Sequence, residues 1–223
     1  MKVIILAGGK GTRLPVSAKD RPKAMVKIGN KSVLERQIEH LSQYGLNDIR
    51  LSLGWMAEHI IDFIKARFPH IEYVIEDEPR GTGGALKYAL GDYDKPFIGM
   101  NGDVLTDCDM AEFLSASTPN TMALARVKNA KDYGIARVHN NVISEFKEKP
   151  GTITPGLINA GIYYLEPAFL KEFPLNCFSI ERDVFPALIK QKLLRAYIHK
   201  GFWIDMGTEE RLASLKNHEF FKE

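Results

Sequence analysis

The opening residues constrain the fold more than any other part of the chain. Val3 to Ala7 is an unbroken apolar run that stops at Gly8, and Gly9 and Gly11 follow within the next three positions. A half-exposed strand alternates apolar and polar residues, so an unbroken run predicts a strand covered on both faces. It is too short for a membrane span or for the core of a signal peptide. The chain is therefore expected to build a buried sheet that ends in a glycine-rich loop.

Apolar spacing along the rest of the chain extends that reading. Ser32 to Tyr44 carries Val33, Leu34, Ile38 and Leu41 at helical spacing and stops at Gly45. Ile49 to Leu53 and Ile71 to Ile75 read as strands and Ala57 to Phe68 as a helix. Gly83 to Leu90 reads as another helix, and Phe97 to Met100 as a strand ending at Asn101-Gly102-Asp103. Strands alternating with helices predict right-handed βαβ units, and ligands of such sheets bind beyond the carboxyl ends of the strands. The loop from Gly8 to Leu14 and the loop from Asn101 to Asp103 should thus meet at one crevice. After Asp109 the pattern changes to strands at Thr121 to Val127, Ile135 to Val138, Val142 to Phe146, Leu157 to Leu165 and Leu194 to His199. Asn140-Asn141 is placed for a hairpin turn. Helices are expected at Met110 to Leu114, Ile180 to Gln191 and Thr208 to Phe220.

The glycine loop carries the first chemical signal. Closely spaced glycines let backbone N–H groups approach phosphate oxygens, Thr12 adds a hydroxyl and Arg13 a forked, permanently charged donor. The Walker pattern is absent, and the dinucleotide fingerprint lacks its third glycine. A purely structural tight turn is the competing reading of the loop alone. Thirty basic side chains against 28 acidic ones leave a formal charge of only +2, which does not predict a nucleic-acid partner. Two cysteines, Cys108 and Cys177, make neither a disulfide framework nor a zinc site, and a cytoplasmic location is expected. Asp107 and Asp109 sit where a helix cap belongs.

Leu6-Ala7-Gly8-Gly9-Lys10-Gly11-Thr12-Arg13-Leu14 resembles the signature loop of the sugar-1-phosphate nucleotidyltransferases. Further elements are similar in the family's order: Asp20-Arg21-Pro22-Lys23, Glu78-Pro79-Arg80-Gly81-Thr82-Gly83-Gly84, Asn101-Gly102-Asp103, Phe146-Lys147-Glu148-Lys149-Pro150, Asn159-Ala160-Gly161-Ile162-Tyr163 and Trp203-Ile204-Asp205-Met206-Gly207-Thr208. The likeness runs from residue 3 to about 212. It implies an α/β fold of nucleotide-diphospho-sugar transferase type. Such a fold has a Rossmann-like, mostly parallel sheet flanked by helices and a mixed or antiparallel sugar-binding region. One domain over 1–223 is expected, with 1–109 mainly the nucleotide-binding half and 110–223 mainly the sugar-phosphate half.

The resemblance also implies roles. Leu6, Ala7, Gly8, Gly9, Gly11, Thr12, Arg13, Lys23, Glu78, Gly81, Thr82, Asn101 and Asp103 would bind the nucleotide. Gly83, Glu148, Lys149, Asn159 and Gly161 would bind the sugar phosphate, and Asp103 and Asp205 would hold Mg²⁺. Arg13, Lys23, Asp103, Lys149 and Asp205 would be catalytic. The reaction implied joins a nucleoside monophosphate from an NTP to a sugar 1-phosphate and releases pyrophosphate, for cell-surface glycan precursors. It joins two anions, so positioning and charge neutralisation carry it; the nucleophile is already ionised and needs no general base.

Arg80 to Gly84 and the segment Phe178-Ser179-Ile180-Glu181-x-Asp183 are most similar to D-glycero-D-manno-heptose 1-phosphate guanylyltransferases. The segment Gly201 to Leu212 is also similar to N-acetylmuramate 1-phosphate uridylyltransferases. GTP is favoured and UTP stays open, with a heptose or hexose 1-phosphate as partner, no membrane association, and a monomer or homodimer. A non-catalytic sugar-nucleotide-binding regulatory subunit is the alternative of another class.

Overall fold

The computed structural model describes residues 1–9, 21–149, 151 and 153–215. The strands are β1 (Lys2–Leu6), β2 (Lys27–Ile28), β3 (Lys31–Ser32), β4 (Asp48–Leu53), β5 (Glu72–Ile75), β6 (Phe97–Asn101), β7 (Val104–Thr106), β8 (Thr121–Val127), β9 (Ile135–His139), β10 (Val142–Lys147), β11 (Gly156–Leu165), β12 (Arg195–His199) and β13 (Trp203–Asp205). The helices are α1 (Val33–Gln43), α2 (Ala57–Arg67), α3 (Gly81–Leu90), α4 (Met110–Ser115), α5 (Ala168–Lys171), α6 (Phe185–Lys190) and α7 (Glu209–Leu215). Among the described residues no helix is long and apolar enough to cross a membrane.

Nine strands form one sheet in the order β5-β4-β1-β6-β11-β8-β12-β10-β9. The first four run parallel, as the alternating pattern predicts, and from β11 onward the pairing is mixed. β1 explains the layering. Side chains alternate across a strand, so Val3 and Ile5 join the core beneath α1 and α2, while Ile4 packs with Leu86 of α3 on the opposite face. All three are fully buried, which is why the run is unbroken rather than alternating.

Local signals act where they were expected. Ser32 caps α1 by accepting a hydrogen bond from the Glu35 N–H, and Gly45 ends it at φ +72°. Asn140 and Asn141 both have positive φ, 50° and 59°, in the two-residue turn that joins β9 to β10. Asp109 caps α4, whereas Asp107 does not cap: it pairs with His199 at 3.0 Å.

Candidate active site

The carboxyl ends of β1, β4, β5 and β6 open onto a cavity of about 710 Å³. Its border includes Leu6, Ala7, Gly8 and Gly9 after β1, Trp55 after β4, Glu76 and Glu78 after β5, and Asn101 to Asp103 after β6. Gly8 and Gly9, the described part of the first expected loop, share this crevice with Asn101 to Asp103; Lys10 to Leu14 lie outside the described residues. From β1 the chain moves outward through β4 and β5 and then returns to β6 on the other side of β1, so the cavity lies at the switch point of a doubly wound sheet. Gly102 donates its N–H to Leu6 O at 2.9 Å, and a Cβ at Gly102 would stand 2.5 Å from that oxygen. Only glycine lets the two loops approach this closely.

A second, smaller cavity of about 140 Å³ adjoins it, bordered by Asp132, Tyr133, Glu148, Lys149, Asn159, Gly161, Glu181 and Asp205. Asn101 and Asp103 border both cavities. The Asn101 side chain brings to this junction a buried Oδ1 that has no hydrogen-bond partner among the described residues.

Asp103 and Asp205 lie far apart in sequence but side by side in space. β7 and β13 form a separate antiparallel ribbon in which Asp205 pairs with Val104, and the Met206 N–H donates to Asp103 O at 2.8 Å. Gln37, on α1 and 2% exposed, locks the turn between β6 and β7 by donating to Asn101 O at 2.9 Å and Val104 O at 2.7 Å. Lys23, in a short 3₁₀ turn (Lys23–Met25), reaches Asp103 Oδ2 at 2.7 Å.

Asp205 is held on several sides. Tyr133 Oη donates to its Oδ1 at 2.9 Å, and Arg211 Nη1 reaches Oδ1 at 2.8 Å and Oδ2 at 3.1 Å. Arg211 also pairs with Asp132 at 3.2 Å and lies over the Tyr133 ring at 4.4 Å. Burial pushes the Asp205 carboxyl above the usual range; Arg211 opposes this, and the Asp103 charge adds to it. The Asp103 charge thus raises the proton affinity of Asp205, a repulsion that a cation between the two carboxylates would relieve. Burial and the neighbouring Asp205 charge raise the Tyr133 hydroxyl far above its ordinary value, so it stays a hydrogen-bond donor.

The β8–β11 register shifts between Asn159 and Tyr163, and this irregular stretch shapes the wall of the smaller cavity. Within it Gly161 takes φ +71°, its N–H donates to Asn159 Oδ1 at 2.9 Å, and Asn159 Nδ2 donates to Tyr163 Oη at 2.8 Å. Lys149, also left-handed at φ +45°, keeps its side chain 54% exposed, with Nζ 3.4 Å from Glu148 Oε1.

Gly81 and Thr82 border the larger cavity, but Gly83 borders neither. The Gly83 and Gly84 N–H groups donate to Phe178 O at 3.0 and 3.2 Å. A side chain at Gly83 would overlap the Phe178 ring, and one at Gly84 the Asn176 carbonyl. These two glycines admit the 176–178 segment against the start of α3. Gly11, Thr12 and Arg13 lie outside the described residues. Gln37, Asp132, Tyr133, Glu181 and Arg211 reach the site without having been singled out by sequence; of these only Glu181 and Arg211 sat in segments with a motif signal.

Comparison with known proteins bears on the site as a whole. A family model described as nucleotidyl transferase matches residues 2–219. The chain belongs to the nucleotidyl transferase family. That agrees with the resemblance read from the motifs. The chain is similar to the mannose-1-phosphate guanyltransferase of Aspergillus oryzae, 35% identical over 228 residues, 96% of this chain and 63% of the relative. It is likewise 35% identical to the mannose-1-phosphate guanyltransferase of Candida albicans over 229 residues, with the same shares covered. The chain thus spans 63% of the length of these two curated family members.

Among solved structures, HddC from Yersinia pseudotuberculosis complexed with GMP-PN is 34% identical, with a TM-score of 0.85 and 99% of both chains covered. A putative glucose-1-phosphate thymidylyltransferase from Bacillus anthracis, in complex with a sucrose, shares the fold at a TM-score of 0.82 and 24% identity, with 96% of this chain and 93% of that one covered.

Proposed function

We propose that this chain joins the GMP unit of GTP to a sugar 1-phosphate, forming a GDP-sugar and releasing pyrophosphate. The observation that carries this reading is the junction: Asn101 and Asp103 border both cavities, and Asp205 stands one ladder step away. A triphosphate in the larger cavity and a sugar phosphate in the smaller one would bring the α-phosphorus and the attacking oxygen to those carboxylates. A phosphate oxygen of the sugar forms the new bond to the α-phosphorus, and the bond to the β,γ-pyrophosphate breaks.

The donor set fits a hard cation. Asp103 and Asp205 offer only oxygen, the donor a hard cation prefers. Mg²⁺ held by these two carboxylates would neutralise charge building between the two phosphates. Lys23, within reach of the same carboxylate, would turn to the triphosphate. Lys149 would neutralise the sugar phosphate, and Glu148 and Asn159 would hold sugar hydroxyls. Glu78, at the rim of the larger cavity, supplies acceptors for the N1–H and N2 amino donors of guanine. The guanyltransferase names of the curated family members support the same base.

Pyrophosphate release measured for GTP, UTP and dTTP against mannose, heptose and N-acetylmuramate 1-phosphates tests the proposal. GTP is expected to give the fastest turnover. Nucleotide binding without pyrophosphate release from any pair would overturn the reading and favour a regulatory subunit. Lys149→Ala should raise the KM for the sugar phosphate by about 10- to 100-fold, the loss of one charge-assisted contact, and leave that for GTP within about twofold. Equal rises for both substrates would remove Lys149 from the sugar side.

A further inference from the structure

Glu181 is a carboxylate for which the reaction described so far has no use. It lies in a turn of π-helix (Ile180–Val184) that precedes α6, an irregularity often found at functional sites. Its Oε2 accepts two hydroxyl hydrogen bonds, from Thr82 Oγ1 at 2.5 Å and Ser179 Oγ at 2.6 Å. Its Oε1 receives none from the described residues, and no described Lys or Arg pairs with it, yet the residue borders the smaller cavity. A carboxylate with one oxygen anchored on two hydroxyls leaves the other oxygen free to accept a hydrogen bond from a ligand in that cavity. Asn101, whose Oδ1 is buried without a partner among the described residues, borders the same cavity.

We propose that Glu181 determines sugar specificity by accepting a hydrogen bond from a ring hydroxyl of the bound sugar 1-phosphate. The ligand class is a neutral polyhydroxylated sugar. Thr82 makes the device rigid: its hydroxyl donates to Glu181 and accepts from the Ile180 N–H at 3.0 Å, while the residue borders the nucleotide cavity. The hydroxyl-reading oxygen is therefore fixed from the nucleotide side. A site built to hydrogen-bond a substrate hydroxyl rejects the analogue lacking it, because its own buried group is then left unpaired.

The inference rests on the transferase reading, and its test separates the two. Wild type and Glu181→Gln are compared on the fastest sugar 1-phosphate of the panel and on its monodeoxy analogues. Glutamine keeps the shape and an acceptor for Thr82 and Ser179, so the urea midpoint should hold. For one deoxy analogue wild type should lose at least about 100-fold in kcat/KM. Glu181→Gln should lose a similar factor on the parent sugar but little more on that analogue, with the KM for GTP within about twofold. If Glu181→Gln rejects the analogue as strongly as wild type does, Glu181 is only a strut and the proposal is overturned. Should wild type release no pyrophosphate from any pair, calorimetric titration with mannose 1-phosphate replaces turnover. Weaker binding by Glu181→Gln then supports the role; equal binding, or none to wild type, overturns it.

Discussion

Asp103→Ala should lower kcat for pyrophosphate release by at least about 10³-fold, the several kcal/mol expected when a metal-holding carboxylate is removed. The fold should survive. Asp103 is 26% exposed, but Lys23, its ionic partner, is only 16% exposed and has no other described ion pair, so leaving that ammonium unpaired should cost about 1–3 kcal/mol. Backbone bonds at both ends of the turn, from Gln37 and Met206, do not use the carboxylate. The measurement is a coupled pyrophosphate assay beside a urea unfolding curve. Asp103→Asn sharpens it: the shape is kept and the charge lost, and activity should remain low. Near-normal turnover in either variant would take Asp103 out of the mechanism.

The largest effect on stability is expected at Phe185, the first residue of α6. Its ring is fully buried and meets Tyr163 of β11 at 5.4 Å and Phe146 of β10 at 5.8 Å. Phe185→Ala should cost about 3–5 kcal/mol, the usual range for emptying such a site. The KM for sugar phosphate should rise as well, because Glu148 follows Phe146 by two positions and Glu181 precedes Phe185 by four. Denaturant unfolding checks the first effect and steady-state kinetics the second. A stability loss below about 1 kcal/mol would mean that neighbouring side chains close over the gap.

What sequence reveals, and what it hides, follows from the range of each interaction. The β1 run, the Ser32 cap, the Gly45 stop and the Asn140-Asn141 turn act within a few residues and are visible in the letters. The ribbon of β7 and β13 is not. Each strand is three residues long and its partner lies about a hundred positions away, so no periodicity marks it. The expected helix from Ile180 to Gln191 conceals the π turn, because apolar spacing does not distinguish i→i+4 from i→i+5 bonding over one turn. Gly83 read as a ligand-loop glycine, and its observed neighbour is Phe178, a contact made only when the chain folds back. Tyr133 and Arg211 come to the site through the same long-range packing. Asp103 and Asp205 were legible as a pair only through the resemblance. Their proximity depends on a ladder that composition does not announce.

The position of β11 carries a consequence for how the polypeptide comes into being. Gly156–Leu165 lies between β6 and β8, and among the described residues it alone joins the parallel half to the rest of the sheet. Until residue 165 has left the ribosome, Phe97–Asn101 has one unpaired edge, lined by side chains that are almost entirely apolar and buried in the finished sheet. Such an edge invites pairing with other chains, and closing it requires contacts across more than fifty residues, which slows folding. Synthesis that stalls between positions 101 and 156 should therefore yield an aggregation-prone fragment, and chaperone demand should fall once that central strand is made.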